Sequence, residues 1–271
     1  MSLSGIRLLR QSDIPGAMRL KEAAGWNQTR ADWERLLELE PEGCFCLEHD
    51  GILAATATAV TYGKDLAWIG MVLTLPEFRG RGFARSLMTA VMDFAASRGV
   101  ATAALDATDM GIALYRQFGF ESTGVVERCQ RLEDADPVDP AGGGPWELAA
   151  DLDRSAFGTD RGRLLASLAS SECASIPSLG YAMARPGSKA VYFGPCVTRS
   201  ADSAEYLLRW FLARHPQQRV YWDILQENRD ATRLASQYGF HSVRQLTRMF
   251  RGPALPEDPS LVFAIAGFEY G

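Results

Sequence analysis

The sequence predicts an α/β (α+β) protein built as two tandem domains, and three observations carry that expectation. The chain repeats itself, strand-like and helix-like segments alternate in each half, and a proline-, glycine- and acid-rich stretch separates the halves. Leu114-Tyr115-Arg116-Gln117-Phe118-Gly119-Phe120 recurs as Leu234-Ala235-Ser236-Gln237-Tyr238-Gly239-Phe240. The same shift, 199 minus 79, lays Arg79-Gly80-Arg81-Gly82-Phe83-Ala84 over Arg199-Ser200-Ala201-Asp202-Ser203-Ala204, and Arg128 meets Arg248. Two separated segments in one register point to a duplicated domain. The expected units are residues 1–135, a linker over 136–145, and residues 146–271.

Taken in order, Ile6 to Leu9 reads as a first strand. Ser12-Asp13 before Ile14-Pro15 is a helix start, and Ala17, Leu20 and Ala24 follow at helical spacing. Trp26-Asn27-Gln28 breaks that helix, and Thr29 or Asp32 starts the next, which carries Trp33, Leu36 and Leu37. Cys44 to His49 and Ile52 to Tyr62 are strands around an Asp50-Gly51 hairpin turn. Ala67 to Leu75 is a further strand. A helix over about 83–98 shows the apolar stripe Leu87, Val91, Phe94 and stops at Gly99. Strand 100–106, helix 110–118 and strand 121–129 close the first copy. The second copy keeps strand 190–193, helix 203–214, strand 220–225, helix 230–238 and strand 243–250. Leu261 to Phe268 adds a final expected strand.

Length and composition bound the function. A chain of 271 residues with 47% hydrophobic and 23% charged residues suits two soluble globular domains. A net charge of -5 argues against a general nucleic-acid binder, which needs a basic face. It leaves room for an anionic ligand at a local arginine cluster. The five cysteines form no Cys-x-x-Cys pair and the three histidines are dispersed, so neither a metal nor a zinc site is expected. No signal peptide and no bilayer-length apolar run is seen. The expectation is a cytoplasmic protein with reduced thiols and no membrane partner.

Arg79-Gly80-Arg81-Gly82-Phe83-Ala84 lies between a strand and a helix. Glycines there let backbone N–H groups converge, and the helix start adds unpaired N–H groups and partial positive charge. Arg79, Arg81 and Arg85 add full charges. The combination suits a pyrophosphate; the plainer alternative is a glycine-rich turn with solvated arginines. It is neither a Walker loop nor a Rossmann fingerprint.

Arg79-x-x-Gly82-x-Ala84, after Val72-Leu73-Thr74-Leu75-Pro76, resembles the acyl-CoA-binding signature of the GNAT N-acetyltransferase superfamily. Leu114-Tyr115-x-x-x-Gly119-Phe120 resembles the same family's later motif. The chain is similar to a bacterial tandem-GNAT subgroup in which a standard N-terminal domain precedes a divergent C-terminal one. The resemblance implies that each domain is a mixed central β-sheet flanked by helices. It implies transfer of the acetyl group of acetyl-CoA, as cosubstrate, to an amine of a small molecule, amino acid or peptide by direct attack. The alternative is a non-catalytic acyl-CoA-binding or sensing protein. Backbone groups of Val72, Leu73 and Thr74 would hold the pantetheine arm, and a backbone N–H near Val72 or Leu73 would stabilise the oxyanion. The loop Arg79, Gly80, Arg81, Gly82, Phe83, Ala84, with Arg85, would hold the pyrophosphate.

By the same resemblance Tyr115 is the general acid that protonates the departing thiolate. Asp106 is either a general base or a cap of the following helix. Thr108 stands where the family often has asparagine. Trp26, Asn27 and Trp33 fall in the region that usually forms the acceptor lid, where they would line the pocket or anchor the helix pair. In the second copy Asp202 replaces Gly82 and Ala235 replaces Tyr115, while Asn228 and Ala231 persist. That copy is read as having lost acetyl-CoA binding and as shaping the acceptor pocket, covering the first cleft or mediating pairing, including a possible homodimer. Arg199 and Tyr221-Trp222-Asp223 are its candidate acceptor contacts.

Overall fold

The structure, a computed structural model, describes residues 5–271; the first four residues of the expected first domain lie outside it. The first half contains β1 (Ile6–Leu8), α1 (Ile14–Ala23), α2 (Arg30–Leu39), β2 (Cys44–His49), β3 (Ile52–Tyr62), β4 (Leu66–Thr74), α3 (Phe83–Ser97), β5 (Thr102–Ala107), α4 (Asp109–Gln117) and β6 (Glu121–Arg131). The second contains α5 (Ala150–Phe157), α6 (Gly162–Leu168), β7 (Glu172–Ile176), β8 (Gly180–Arg185), β9 (Val191–Thr198), α7 (Ala201–Arg214), β10 (Val220–Leu225), α8 (Arg229–Gln237), β11 (His241–Arg251) and β12 (Val262–Ala264). Helix α2 starts where its sequence predicts: the Thr29 N–H donates to Asp32 Oδ2 at 2.7 Å, half of a capping box. Two sequence expectations change. The strand expected at 190–193 extends to Thr198, and Leu261 to Phe268 is a strand only over Val262–Ala264.

The sheet order is β1-β2-β3-β4-β5-β11-β6-β10-β9-β8-β7, with β12 on β9. The two mixed sheets therefore merge into one, and the halves exchange their closing strands. β11 of the second half pairs with β5 of the first, while β6 of the first half pairs with β10 of the second. The exchanged strands also pair with each other, antiparallel, at the centre. β3 is buried along nearly its whole length. Successive side chains point to opposite faces, so both faces of the sheet are covered there. Leu87, Val91 and Phe94 of α3 supply part of that cover, as their spacing predicts.

Two bidentate ion pairs lock the exchange. Arg128 on β6 donates from Nε and Nη2 to Asp223 on β10 at 2.8 and 2.6 Å. Arg248 on β11 donates in the same way to Asp106 on β5, at 2.9 Å for both bonds. The pairs are related by the repeat, one arginine and one aspartate from each copy. The arginines stand 248 minus 128, or 120, apart; the aspartates stand 223 minus 106, or 117, apart. Asp106 precedes Tyr115 by 115 minus 106, or 9, and Asp223 precedes Ala235 by 235 minus 223, or 12, and this three-residue difference hides the match of the aspartates in the sequence.

Candidate active site

Parallel strands β4 and β5 pair only at Leu66–Thr102, Ala67–Ala103 and Trp68–Ala104. Beyond Trp68 they diverge, and the edge of Ile69–Thr74 that faces β5 has no strand partner. Backbone polar groups on such an edge demand hydrogen-bond partners. On its other edge β4 carries a bulge: Thr56 faces Leu73 and Thr58 faces Gly70, so Met71 and Val72 together oppose Ala57. Met71 takes φ +48°, and its carbonyl accepts from Thr56 Oγ1 at 2.8 Å. Bulges of this kind re-aim backbone groups beside active sites.

The divergence opens a cleft between the two halves. Met71, Val72, Asp106 and Tyr115 of the first half line it, together with Trp26. So do Arg244, Leu246 and Phe268 of the second half. These last three were not foreseen from the sequence. Their assignment needs the strand exchange, which no spacing reveals.

At the mouth of α3, Gly80 and Gly82 take φ +76° and +82°, and a β-carbon on either would meet nothing within 4 Å. Gly82 occupies the N-cap and offers no side-chain cap, so the first N–H groups of α3 stay open. Arg79 donates to the Thr74 carbonyl, Arg81 contacts His49 Nε2 and stacks on Phe78, and Arg85 donates to Gln117. Among the described residues none of these three arginines is in a salt bridge. Phe83 is buried beneath the loop and Ala84 is half-buried. Open donors and unmatched guanidinium groups are what a diphosphate requires.

Tyr115 is buried and packs edge-on against Phe120. Its ring needs Gly111: a β-carbon there would fall 2.6 Å from the ring. Burial pushes the phenol above its ordinary range, so it is a proton donor at neutral pH. Asp106 lines the same cleft but is not the cap considered from the sequence, because α4 starts at Thr108 without a side-chain cap. Its carboxylate is buried against Arg248, so it is not a free base.

The lid residues divide. Trp26 is half-buried and lines the cleft. Asn27 anchors the lid to the second half instead: it donates to the Ala190 carbonyl and accepts from the N–H groups of Lys189 and Ala190. Trp33 is fully buried in the core and does not line the cleft. The second-half candidates are likewise structural. Arg199 donates to the Ser178 carbonyl, the Trp222 indole to the Phe263 carbonyl, and Asp223 accepts from Arg128. Tyr221 packs under the Arg128 guanidinium.

The second half has its own point of divergence, and it is filled. β9 and β10 pair in parallel over Val191–Phe193 and Val220–Trp222. Beyond that, β12 lies in the gap. Val262 and Ala264 pair with Val197 and Cys196 of β9, and the Ile265 N–H donates to the Asp223 carbonyl of β10. The retained Asn228 donates to the carbonyls of Ser260 and Val262 at 3.0 and 2.9 Å, holding this segment. Ser200 caps α7 by accepting from the Ser203 N–H, so that helix start is closed.

Comparison with known proteins agrees with this architecture. Residues 15–120 match the Acetyltransferase (GNAT) family and residues 149–264 an Acetyltransferase (GNAT) domain. The chain is 25% identical over 273 residues, 95% of each protein, to the uncharacterized N-acetyltransferase YitH of Bacillus subtilis (strain 168). A putative acetyltransferase from Pyrococcus horikoshii superposes with TM-score 0.87 at 22% identity, covering 100% of this chain and 98% of its own. A tandem GNAT protein from the clavulanic acid biosynthesis pathway superposes with TM-score 0.63 at 14% identity, covering 92% and 99%. At those identities the structural likeness is one of fold. With both halves matched, the chain belongs to the GNAT acetyltransferase family as a tandem protein of two GNAT domains.

Proposed function

We propose that the protein is an acetyl-CoA-dependent N-acetyltransferase that works in the first cleft, on an amine of a small molecule, amino acid or peptide. One observation carries the reading: the first copy joins an unpaired β4 edge to an uncapped, arginine-ringed helix start, and the second copy has neither. The free edge of Val72, Leu73 and Thr74 would bind the amides of the pantetheine arm. The loop from Arg79 to Ala84, with Arg85, would bind the diphosphate. Acetyl-CoA supplies the activated acyl group as cosubstrate.

The cleft would hold amine and thioester together, which lowers the entropic part of the barrier. A backbone N–H at the Met71–Val72 bulge would stabilise negative charge growing on the carbonyl oxygen. As the C–N bond forms and the C–S bond breaks, Tyr115 would give its proton to the departing sulfur, and the proton that the amine nitrogen loses would pass through water and restore the Tyr115 phenol. Asp106 serves this chemistry by holding Arg248, and so β11, against β5. Five free thiols fit a reducing compartment, and we place the enzyme in the cytoplasm. No helix among the described residues is long and apolar enough to cross a membrane.

Calorimetric titration of the intact chain with acetyl-CoA tests the proposal. One site per chain, followed by CoA release with an amine, supports it. Two sites would overturn the silent second copy, and no binding would remove the transferase reading.

A further inference from the structure

Arg244 lies on β11 just past a register shift against β6, between Ser242 and Arg244. The bulge leaves Val243 out of the ladder and exposed. It also sends Arg244 into the first cleft, beside Tyr115 and Thr108. Of the carboxylates near it, Asp106 is held by Arg248 and Asp223 by Arg128, while Asp109, exposed at the start of α4, attracts Arg244 without pairing with it. Among the described residues Arg244 forms no salt bridge and no side-chain hydrogen bond. Burial, and then the neighbouring Arg128, push its affinity for a proton down, against the weaker pull of Asp223 and Asp109. A half-buried guanidinium without a counter-ion is costly to keep. Its fork is shaped for a carboxylate.

Resting on the transferase reading above, we infer that the acceptor is a small amine that also carries a carboxylate, and that Arg244 binds this carboxylate. The remaining walls describe the rest of that molecule. Trp26, Leu246 and Phe268 present apolar surface in the same cleft, suited to an apolar substituent. The amine is then directed at the Met71–Val72 bulge while the carboxylate is fixed by the second copy. An amino acid with an apolar side chain has all three features in one molecule. A diamine or an isolated lysine side chain lacks the anion and leaves Arg244 unmatched.

The test titrates the chain, with and without saturating CoA, against leucine and phenylalanine and against their amides, in which a neutral carboxamide replaces the carboxylate, at a pH high enough for both amines to be largely unprotonated. Acetylation rates are measured in parallel. The expected result is binding and kcat/KM at least about tenfold better for the amino acids than for the amides. In Arg244→Gln that preference disappears through KM, acetyl-CoA affinity is unchanged, and Arg244→Lys recovers part of the preference. Equal binding of amino acids and amides, binding of neither, or a preference that survives Arg244→Gln overturns the inference. Failure of acetyl-CoA itself to bind strikes the transferase reading instead, because the carboxylate preference is read separately in the chain without CoA.

Discussion

The two copies build the same divergence between parallel strands and use it in opposite ways. In the first, β4 and β5 part after Trp68 and the free edge of β4 faces an open cleft. In the second, β9 and β10 part after Phe193 and Trp222, and β12 fills the gap as a strand. The helix starts show the same contrast: Gly82 leaves α3 uncapped, whereas Ser200 caps α7 and Asp202 stands in its first turn. Asn228, inherited with the fold, spends its amide on the segment that closes the gap. One duplicated frame thus separates into a half with an open cleft and a half whose gap is filled. An internal strand can fill the gap between diverging strands while the framework residues around it are kept.

The exchange of β6 and β11 makes the halves depend on each other, and breaking one lock should show it most strongly. Arg248→Met leaves Asp106 buried without a partner and is expected to cost about 3–5 kcal/mol of unfolding free energy. Arg128→Met should cost a similar amount through Asp223. Urea unfolding of both variants checks this; a loss below about 1 kcal/mol in either would mean that its pair does not lock the exchange.

Importing the second copy's feature into the first should erase the functional difference next. Gly82→Asp places a carboxylate at an open, positively polarised helix start and is expected to weaken acetyl-CoA binding about a hundredfold. Gly82→Asn, uncharged and tolerant of the left-handed backbone, should lose far less. Equal losses in the two variants would assign the effect to backbone strain rather than to charge.

The smallest contrast is chemical. Tyr115→Phe is expected to lower kcat about tenfold to a hundredfold with little change in acetyl-CoA affinity. The form that donates is the protonated phenol, and burial raises its pKa. Tyr115 therefore stays competent throughout the neutral range. The wild-type rate should rise as the acceptor amine deprotonates and should not fall on account of Tyr115 below about pH 10. A Tyr115-dependent decline between pH 7 and 9 would contradict the buried donor.

Much of the molecule was legible in the chain because it rests on local rules. Cys44–His49, Ile52–Tyr62 and Val220–Leu225 fall on the residues their patterns mark. The glycine–arginine loop lies at the start of α3, and Tyr115 lies on α4 beside the cleft. Asp106 and Trp33 were less legible. An aspartate after a strand reads equally as a cap or a base, and its arginine lies 142 residues away. A tryptophan at helical spacing reads equally as core or pocket until the packing is known.

The sequence by itself determined the duplication, the alternation of strands and helices and the asymmetry between the copies at Gly82 and Tyr115. All of these depend on residue identity and on spacings within one segment. Only the tertiary structure decided that the copies trade strands, that β12 closes the second gap, and that Arg244, Leu246 and Phe268 complete the first cleft. Each of these joins residues remote in sequence. Partners of that kind are selected by backbone hydrogen-bonding demand and charge pairing across the assembled sheet, which no local pattern encodes.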